Sequence, residues 1–409
     1  MNQTMIQHIA RKHNGPFYLY DESVIAAQTD ALLTNFPEFE FLYSVKTNPM
    51  TLIVKYVVGR GFGADAASPA EVDIALKAGA KPEDIYYSTP GKTKSDLERS
   101  IGKCLIIADS LNELTLLNRI AEEKKIDLAV GLRLNPNFSM GGGPGATNRF
   151  GVDEEIVTAG ADFFRNLTRL KITGLHIHLR SQVLDDSALA AYYESIFQVA
   201  LKCQEALGWQ LEFINFGGGL GIPYSTAHDS PLNLPRLGAE CQKMLAKYQE
   251  ILKVRRLIET GRFIIGQAGT YVTPVVDIKE SRGVKYLVVK GVLNGFCRPA
   301  IAELLAAAGA AGPGGRSLEP LFTAADAFDF NIIGPQEDAP QEKVTIVGNL
   351  CAATDTLVSN IMLPKAEIGN LVTVSKAGSY SYSLSALVFS SHHRPMQVYM
   401  DSQGTLTSV

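Results

Sequence analysis

Lys46 closes a short apolar run, Phe41-Leu42-Tyr43-Ser44-Val45, and is followed by Thr47-Asn48-Pro49. Leu42 and Val45 read as a buried strand, which Pro49, with no N–H to give a sheet, must end. The lysine therefore stands where a core strand meets a loop. An ammonium beside a core is costly unless its charge is paired or suppressed. A desolvated lysine amine is also the side chain that forms Schiff bases with carbonyl compounds. The competing reading is a stem along the core with its ammonium in water. Gly217-Gly218-Gly219 opens backbone N–H groups to an anion, or is simply a turn. Arg262 offers a planar fork of donors for phosphate, and Ser181 adds a hydroxyl. Glu259 is a carboxylate that pairs with a ring N–H, or else with Arg262 or Arg256. His176 and His178 alternate along one apolar run, so on a strand they point to opposite faces. One then faces a site, and the pair is poorly spaced for a shared metal.

Eight short strands must position these groups: 41–45, 63–67, 85–88, 105–109, 128–135, 174–179, 212–217 and 257–260. Only 63–67 is weak on propensity. Helical stretches lie between them, such as 69–79 with Ser68 as N-cap and Gly79 as stop, and one starting at Ser110. Strands alternating with helices argue a parallel sheet, and eight such units argue a closed (β/α)8 barrel. Barrel sites form at the C-terminal strand ends. There the chain places Lys46, Asp65 with Ser68, Ser88 to Lys92, Asp109, Arg133 with Asn135, the two histidines with Ser181, the glycine triplet, and Glu259 with Arg262. Lysine, carboxylate, stacking histidine and phosphate cradle together describe one cofactor, pyridoxal 5'-phosphate.

Beyond residue 270 the pattern turns to β: 270–281, 285–293, 343–350, 370–381 and 396–401. A second, mostly antiparallel domain is expected there, joined by the N-terminal FYLY at 17–20. The expected division is 1–25 with the β domain, 26–268 as the barrel and 269–409 as the β domain. Residues 302–316 read as an Ala-rich helix with a Gly/Pro end, and 317–342 has no assignment. The 409 residues are 46% hydrophobic and 20% charged with net charge −4, and no basic run exists for nucleic acid to bind. No apolar stretch is long enough for a bilayer, and the polar N-terminus has no signal-peptide core, so a cytoplasmic protein is expected. Five scattered cysteines without a CxxC pair indicate neither a disulfide framework nor a cysteine metal site.

The chain resembles the alanine-racemase-like (fold type III) pyridoxal-phosphate enzymes, in particular the ornithine/diaminopimelate decarboxylase group. The family's Y-x-V-K-x-N segment is matched by Tyr43 to Asn48, and its H-x-G-S-Q-like segment in part by His178 to Gln182. Its E-P-G-R segment is matched by Glu259-Thr260-Gly261-Arg262, its G-P-x-C-x-x-x-D segment by Gly348 to Asp355, and its G-A-Y segment by Gly378-Ser379-Tyr380. The resemblance implies Lys46 as Schiff-base lysine, His178 as ring-stacking residue and Glu259 on the pyridine nitrogen. It implies cofactor contacts from Asp65, Ser181, Gly217, Gly218, Gly219, Gly261, Arg262 and Tyr380. It makes Cys351 the proton donor and sends Cys351 and Asp355 across a homodimer interface. Substrate contacts are expected from Arg298 and Asp355, and from Arg180, which stands where the family has glycine. A structural reading of Cys351 as a buried cysteine is the alternative.

The departures bear on the substrate. The acid that follows the family's catalytic cysteine is Ala352, and the tyrosine of its R-P-x-x-Y segment falls on Ala302. The family's Gly and Pro are Arg180 and Thr260. The pattern implies α-decarboxylation of an amino acid with a carboxylate-bearing or tethered tail, such as a siderophore intermediate or a carrier-protein-bound aminoacyl group. Diaminopimelate decarboxylase is the alternative. The Cys351/Asp355 pair argues against a racemase, and the long C-terminal β segment against a non-catalytic cofactor-binding protein.

Overall fold

The structure is a computed structural model that describes residues 3–225, 228–249, 252–307, 325–334 and 338–409. The chain divides into two compact units, one of Ala27–Gly221 with Pro231–Gly261, the other of Met1–Ala26, Ile222–Ser230 and Arg262–Val409. Among the described residues of the first unit eight parallel strands form a ring, Glu40–Ser44, Gly63–Ala66, Ile85–Tyr87, Leu105–Ala108, Leu128–Asn135, Leu170–His176, Phe213–Asn215 and Arg255–Thr260, and the short Val152–Asp153 adds to the fifth. Each pairs with the next, and the eighth pairs with the first, Glu259 opposite Leu42, so the sheet is a closed barrel. Leu42, Tyr86, Ile107, Phe213 and Leu257 fill its interior. Phe213 fits because strands five and six are glycine there. A Cβ on Gly174 would stand 2.2 Å from its ring, and one on Gly131 2.4 Å from Ile107 Cδ1. The unpromising Gly63–Ala66 is a strand because its small residues are fully covered on both faces, where packing overrides propensity.

The helix Pro69–Lys77 begins as expected, with Ser68 accepting the N–H of Glu71, and Ser110 caps Leu111–Lys124 through Glu113. Two expectations shift. Lys46 lies just past its strand, in a 3-10 turn over Val45–Thr47 tied by Thr47 Oγ1 to the Ser44 carbonyl at 2.8 Å. The sixth strand ends at His176, earlier than the expected 179, so His178 lies in the loop beyond it.

In the second unit Phe17–Asp21 joins the sheet, antiparallel to Gly269–Ser281 and parallel to Met396–Met400. Phe17, Leu19, Val272 and Val398 from these strands share a core with Ile6 and Ile9 of the N-terminal helix. Each such buried side chain contributes about 1.5–3 kcal/mol. Strands Phe330–Ile333, Thr356–Pro364 and Leu406–Ser408 were not anticipated. Pairing in this sheet is mostly antiparallel. The helix expected at 302–316 is described over Arg298–Ala307, and the rest of that stretch, 308–316, lies outside the described residues, as does 317–324. Among the described residues no helix is long and apolar enough to cross a membrane.

Candidate active site

The barrel's C-terminal strand ends gather a lysine, two carboxylates and two imidazoles. Lys46 Nζ is 3.0 Å from Asp65 Oδ2, and Asp65 Oδ1 accepts from Ser88 Oγ at 2.8 Å. The Asp65 side chain is fully buried, whereas that of Lys46 is 43% exposed. Desolvation therefore does not govern the lysine, contrary to one expectation. The 3-10 turn lifts it off the core, and Asp65 pairs its charge. Lys92, at the third strand end, is taken up inside the fold. Its ammonium is buried against Glu113 at 2.7 Å and donates to the carbonyls of Thr89 and Ile107, clamping neighbouring strand ends.

Glu259 is 4% exposed. Its Oε1 accepts from Asn215 Nδ2 at 3.0 Å and lies 3.2 Å from His176 Nε2. Burial opposes its ionisation, but the His176 imidazole and the Lys46 ammonium outweigh burial and hold the carboxyl below the usual range. His178 Nδ1 accepts the N–H of Gly218 at 3.1 Å, and Nε2 is 3.3 Å from Ser181 Oγ. Burial holds this ring down at about 3, so it is neutral, and the accepted N–H assigns its proton to Nε2. Both histidines thus sit close enough to Glu259 to act on its charge. His178 does not follow the strand's alternation, because the strand ends at His176.

Gly217 has φ +68° and Gly219 φ +139°. A Cβ on Gly217 would stand 2.5 Å from the Ile177 carbonyl oxygen. Only glycine suits that backbone, which turns the chain to give the Gly218 N–H to His178. Buried polar atoms remain without hydrogen-bond partners among the described residues: both His176 nitrogens, Asp109 Oδ1 and Thr260 Oγ1. Asp109 Oδ1 lies 3.6 Å from Arg133 Nη1. Arg180 is exposed and Ser181 half-buried.

The second unit holds the other expected residues. Arg262 is buried, donates from Nη1 to Tyr224 OH at 3.0 Å, and lies 5.1 Å from the Tyr380 ring centroid. Tyr380 adopts φ +55°, a conformation rare for a side-chain-bearing residue and frequent at functional sites. Arg298 is fully buried and bonds Tyr224 OH at 3.2 Å and the Ser379 carbonyl at 3.1 Å. Cys351 is a free, exposed thiol, which excludes the buried structural reading. Asp355 departs from expectation. It is 3% exposed, and its two oxygens accept the N–H groups of Leu293 and Leu350, at 2.7 and 2.8 Å. It closes its own loop, with its charge turned inward, and is not shaped as a substrate contact. Sequence reasoning missed Tyr224, whose only signal was its place shortly after the glycine triplet.

This donor set fits pyridoxal 5'-phosphate. It offers a paired but accessible amine, a buried ionised carboxylate, a neutral imidazole and glycine backbone that no side chain could occupy. Among the described residues no cluster of ligands is suited to a metal ion.

Residues 22–266 match the family described as pyridoxal-dependent decarboxylase, pyridoxal binding domain. The L-glutamyl-(BtrI acyl-carrier protein) decarboxylase of Niallia circulans is 30% identical, covering 97% of this chain and 91% of the relative. The diaminopimelate decarboxylase of Aquifex aeolicus is 28% identical over 93% of this chain and 86% of the relative. The crystal structure of the Helicobacter pylori diaminopimelate decarboxylase complexed with L-lysine superposes with a TM-score of 0.83 at 24% identity. It covers 98% of this chain and 95% of that one, which shows the shared fold. A family match over more than half the chain, with end-to-end agreement to a relative of known activity, makes this protein a member of the pyridoxal-dependent decarboxylases, a carboxy-lyase that works with pyridoxal 5'-phosphate.

Proposed function

We propose that this enzyme removes the α-carboxylate of an amino acid whose tail bears a carboxylate or is tethered, as in a siderophore intermediate or a carrier-protein-bound aminoacyl group. The loop at 348–355 carries the reading. Asp355 is its single acid, and that charge is occupied by two backbone N–H groups. Ala352 stands where the related diamine enzymes place an acid. A distal ammonium finds no carboxylate on this loop, whereas a tethered or carboxylate tail loses nothing. The activity of the Niallia circulans relative, on a glutamyl group held by an acyl-carrier protein, supports the same class.

Bound pyridoxal 5'-phosphate supplies the electron sink that lets a carboxylate leave as carbon dioxide. Lys46 would hold the cofactor through its amine, whose charge Asp65 pairs. Glu259, ionised, keeps a proton on the ring nitrogen. His178 serves as the neutral flat neighbour of the ring. Ser181, Arg262 and Tyr380 take the phosphate, and Gly217 to Gly219 and Gly261 leave room for it, the N–H groups of Gly217 and Gly218 staying with Asn215 Oδ1 and His178 Nδ1. Arg180, which is exposed, takes the substrate's tail, whereas Arg298 is completely buried on Tyr224 OH and the Ser379 carbonyl and is not shaped as a substrate contact. Cys351 gives the proton that replaces the carboxylate.

Carbon dioxide release from a substrate panel tests the reading. Carrier-bound or free carboxylate-tailed amino acids are expected to exceed diaminopimelate in kcat/KM by at least about tenfold. Ala352→Glu should narrow that gap. Faster turnover of diaminopimelate by the unmodified enzyme would replace this reading with diaminopimelate decarboxylase. The exposure of Cys351 further supports a homodimer in which it serves the other subunit. Mixing Lys46→Ala with Cys351→Ala, each inactive alone, should then restore up to about a quarter of full activity, since half the dimers are mixed and each carries one intact site. Activity that stays absent in mixtures shown to exchange subunits would place Cys351 in its own chain's site.

A further inference from the structure

Tyr224 has no role in the scheme above. Its phenol oxygen accepts from Arg262 Nη1 at 3.0 Å and from Arg298 Nη1 at 3.2 Å, with Ser379 Oγ at 3.5 Å. Both guanidiniums are buried, Arg298 completely. The Phe328 ring packs edge-on against the tyrosine, with centroids 5.6 Å apart. Its backbone is pinned as well. The N–H donates to Asp229 Oδ2 at 3.0 Å, and the carbonyl accepts from Lys376, which also pairs with Asp329. Two cations in a dry setting repel each other, and one shared oxygen lies between them.

We propose that Tyr224 is a positioning residue that binds Arg262 and Arg298 into one unit and takes up a proton when an anion lands on Arg262. The inference rests on the reading of Arg262 as a phosphate contact. Burial pushes the phenol up, but the Arg298 and Arg262 charges outweigh it and bring it down to about 7. Above that pH the phenolate offsets one positive charge. An arriving anion disfavours the phenolate and so draws a proton onto the oxygen. Anion affinity should therefore fall as pH rises past the midpoint, by up to about tenfold per unit.

Tyrosinate absorbance of the full-length chain, followed against pH, tests this. Sulfate is the probe because its charge is fixed, and the titration is repeated on the cofactor-loaded enzyme. One tyrosine is expected to ionise near 7, with its midpoint raised by about one unit by sulfate or by bound cofactor. Tyr224→Phe should lack that step, and its sulfate affinity should be flat across the same range. If no tyrosine ionises below about pH 9, or if sulfate leaves the midpoint in place, the proposal is overturned. The unmodified chain decides the matter even where Tyr224→Phe does not fold. No amino-acid substrate enters the sulfate titration, so a failed substrate panel and a failed tyrosine titration are distinguishable.

Discussion

Replacing Lys46 by alanine is expected to abolish the borohydride-fixable attachment of cofactor and to lower turnover by a factor on the order of a thousand or more. The fold should tolerate the change. Lys46 stands in a 3-10 turn with 43% of its side chain exposed, so the packing lost is small. Its pairing with Asp65 is partly in solvent, which limits that contribution to about 1 kcal/mol or less. Asp65 keeps its bond from Ser88 Oγ. Lys46→Arg separates chemistry from charge. Its guanidinium still pairs with Asp65, but it cannot condense with a carbonyl at working pH. Reduction followed by mass measurement, with thermal melting alongside, reads both properties. A variant without the amine that still fixes cofactor, or one with near-normal turnover, removes Lys46 from the chemistry.

Much of this site was legible because barrel strands, buried on both faces, are short apolar runs, and their C-terminal ends are where polar residues become conspicuous. Lys46, Asp65 and Glu259 were found in this way, and Ser68 and Ser110 marked their helices through N-cap chemistry. What escaped depended on tertiary detail. The sixth strand ends at His176, and nothing in Leu175-His176-Ile177-His178 marks that end locally. A slip of this kind turns an alternation argument into a wrong statement about facing. The resemblance implies an Asp355 that reaches outward across a dimer interface. Two backbone N–H groups, from Leu350 and from the distant Leu293, turn it inward. Tyr224 acquires its meaning from Arg298, 74 residues away in the chain, and no spacing rule connects the two.

Glu259→Gln is expected to lower kcat by roughly a hundredfold to a thousandfold, with KM and cofactor content little changed. Glutamine preserves the shape and keeps an oxygen for Asn215 Nδ2, so the seventh and eighth strands retain their link. What it removes is negative charge beside His176, at a buried position where that charge cannot be replaced by water. The carboxyl's pKa lies below its ordinary value of 4.5, so its contribution to stability is fully present above that value and lost as pH falls through the lower folded one. Glu259 is therefore ionised throughout the neutral and mildly acidic range, and an acid limb in the kcat profile must come from another group. The test is a pair of pH–rate profiles, supported by urea unfolding of both proteins. A limb centred near 4.5 in the unmodified enzyme that disappears in Glu259→Gln would show an unperturbed carboxyl and refute the assignment. A uniform drop across pH, with the limb unchanged, is the outcome required of a carboxylate that acts by holding a proton on the cofactor's ring nitrogen.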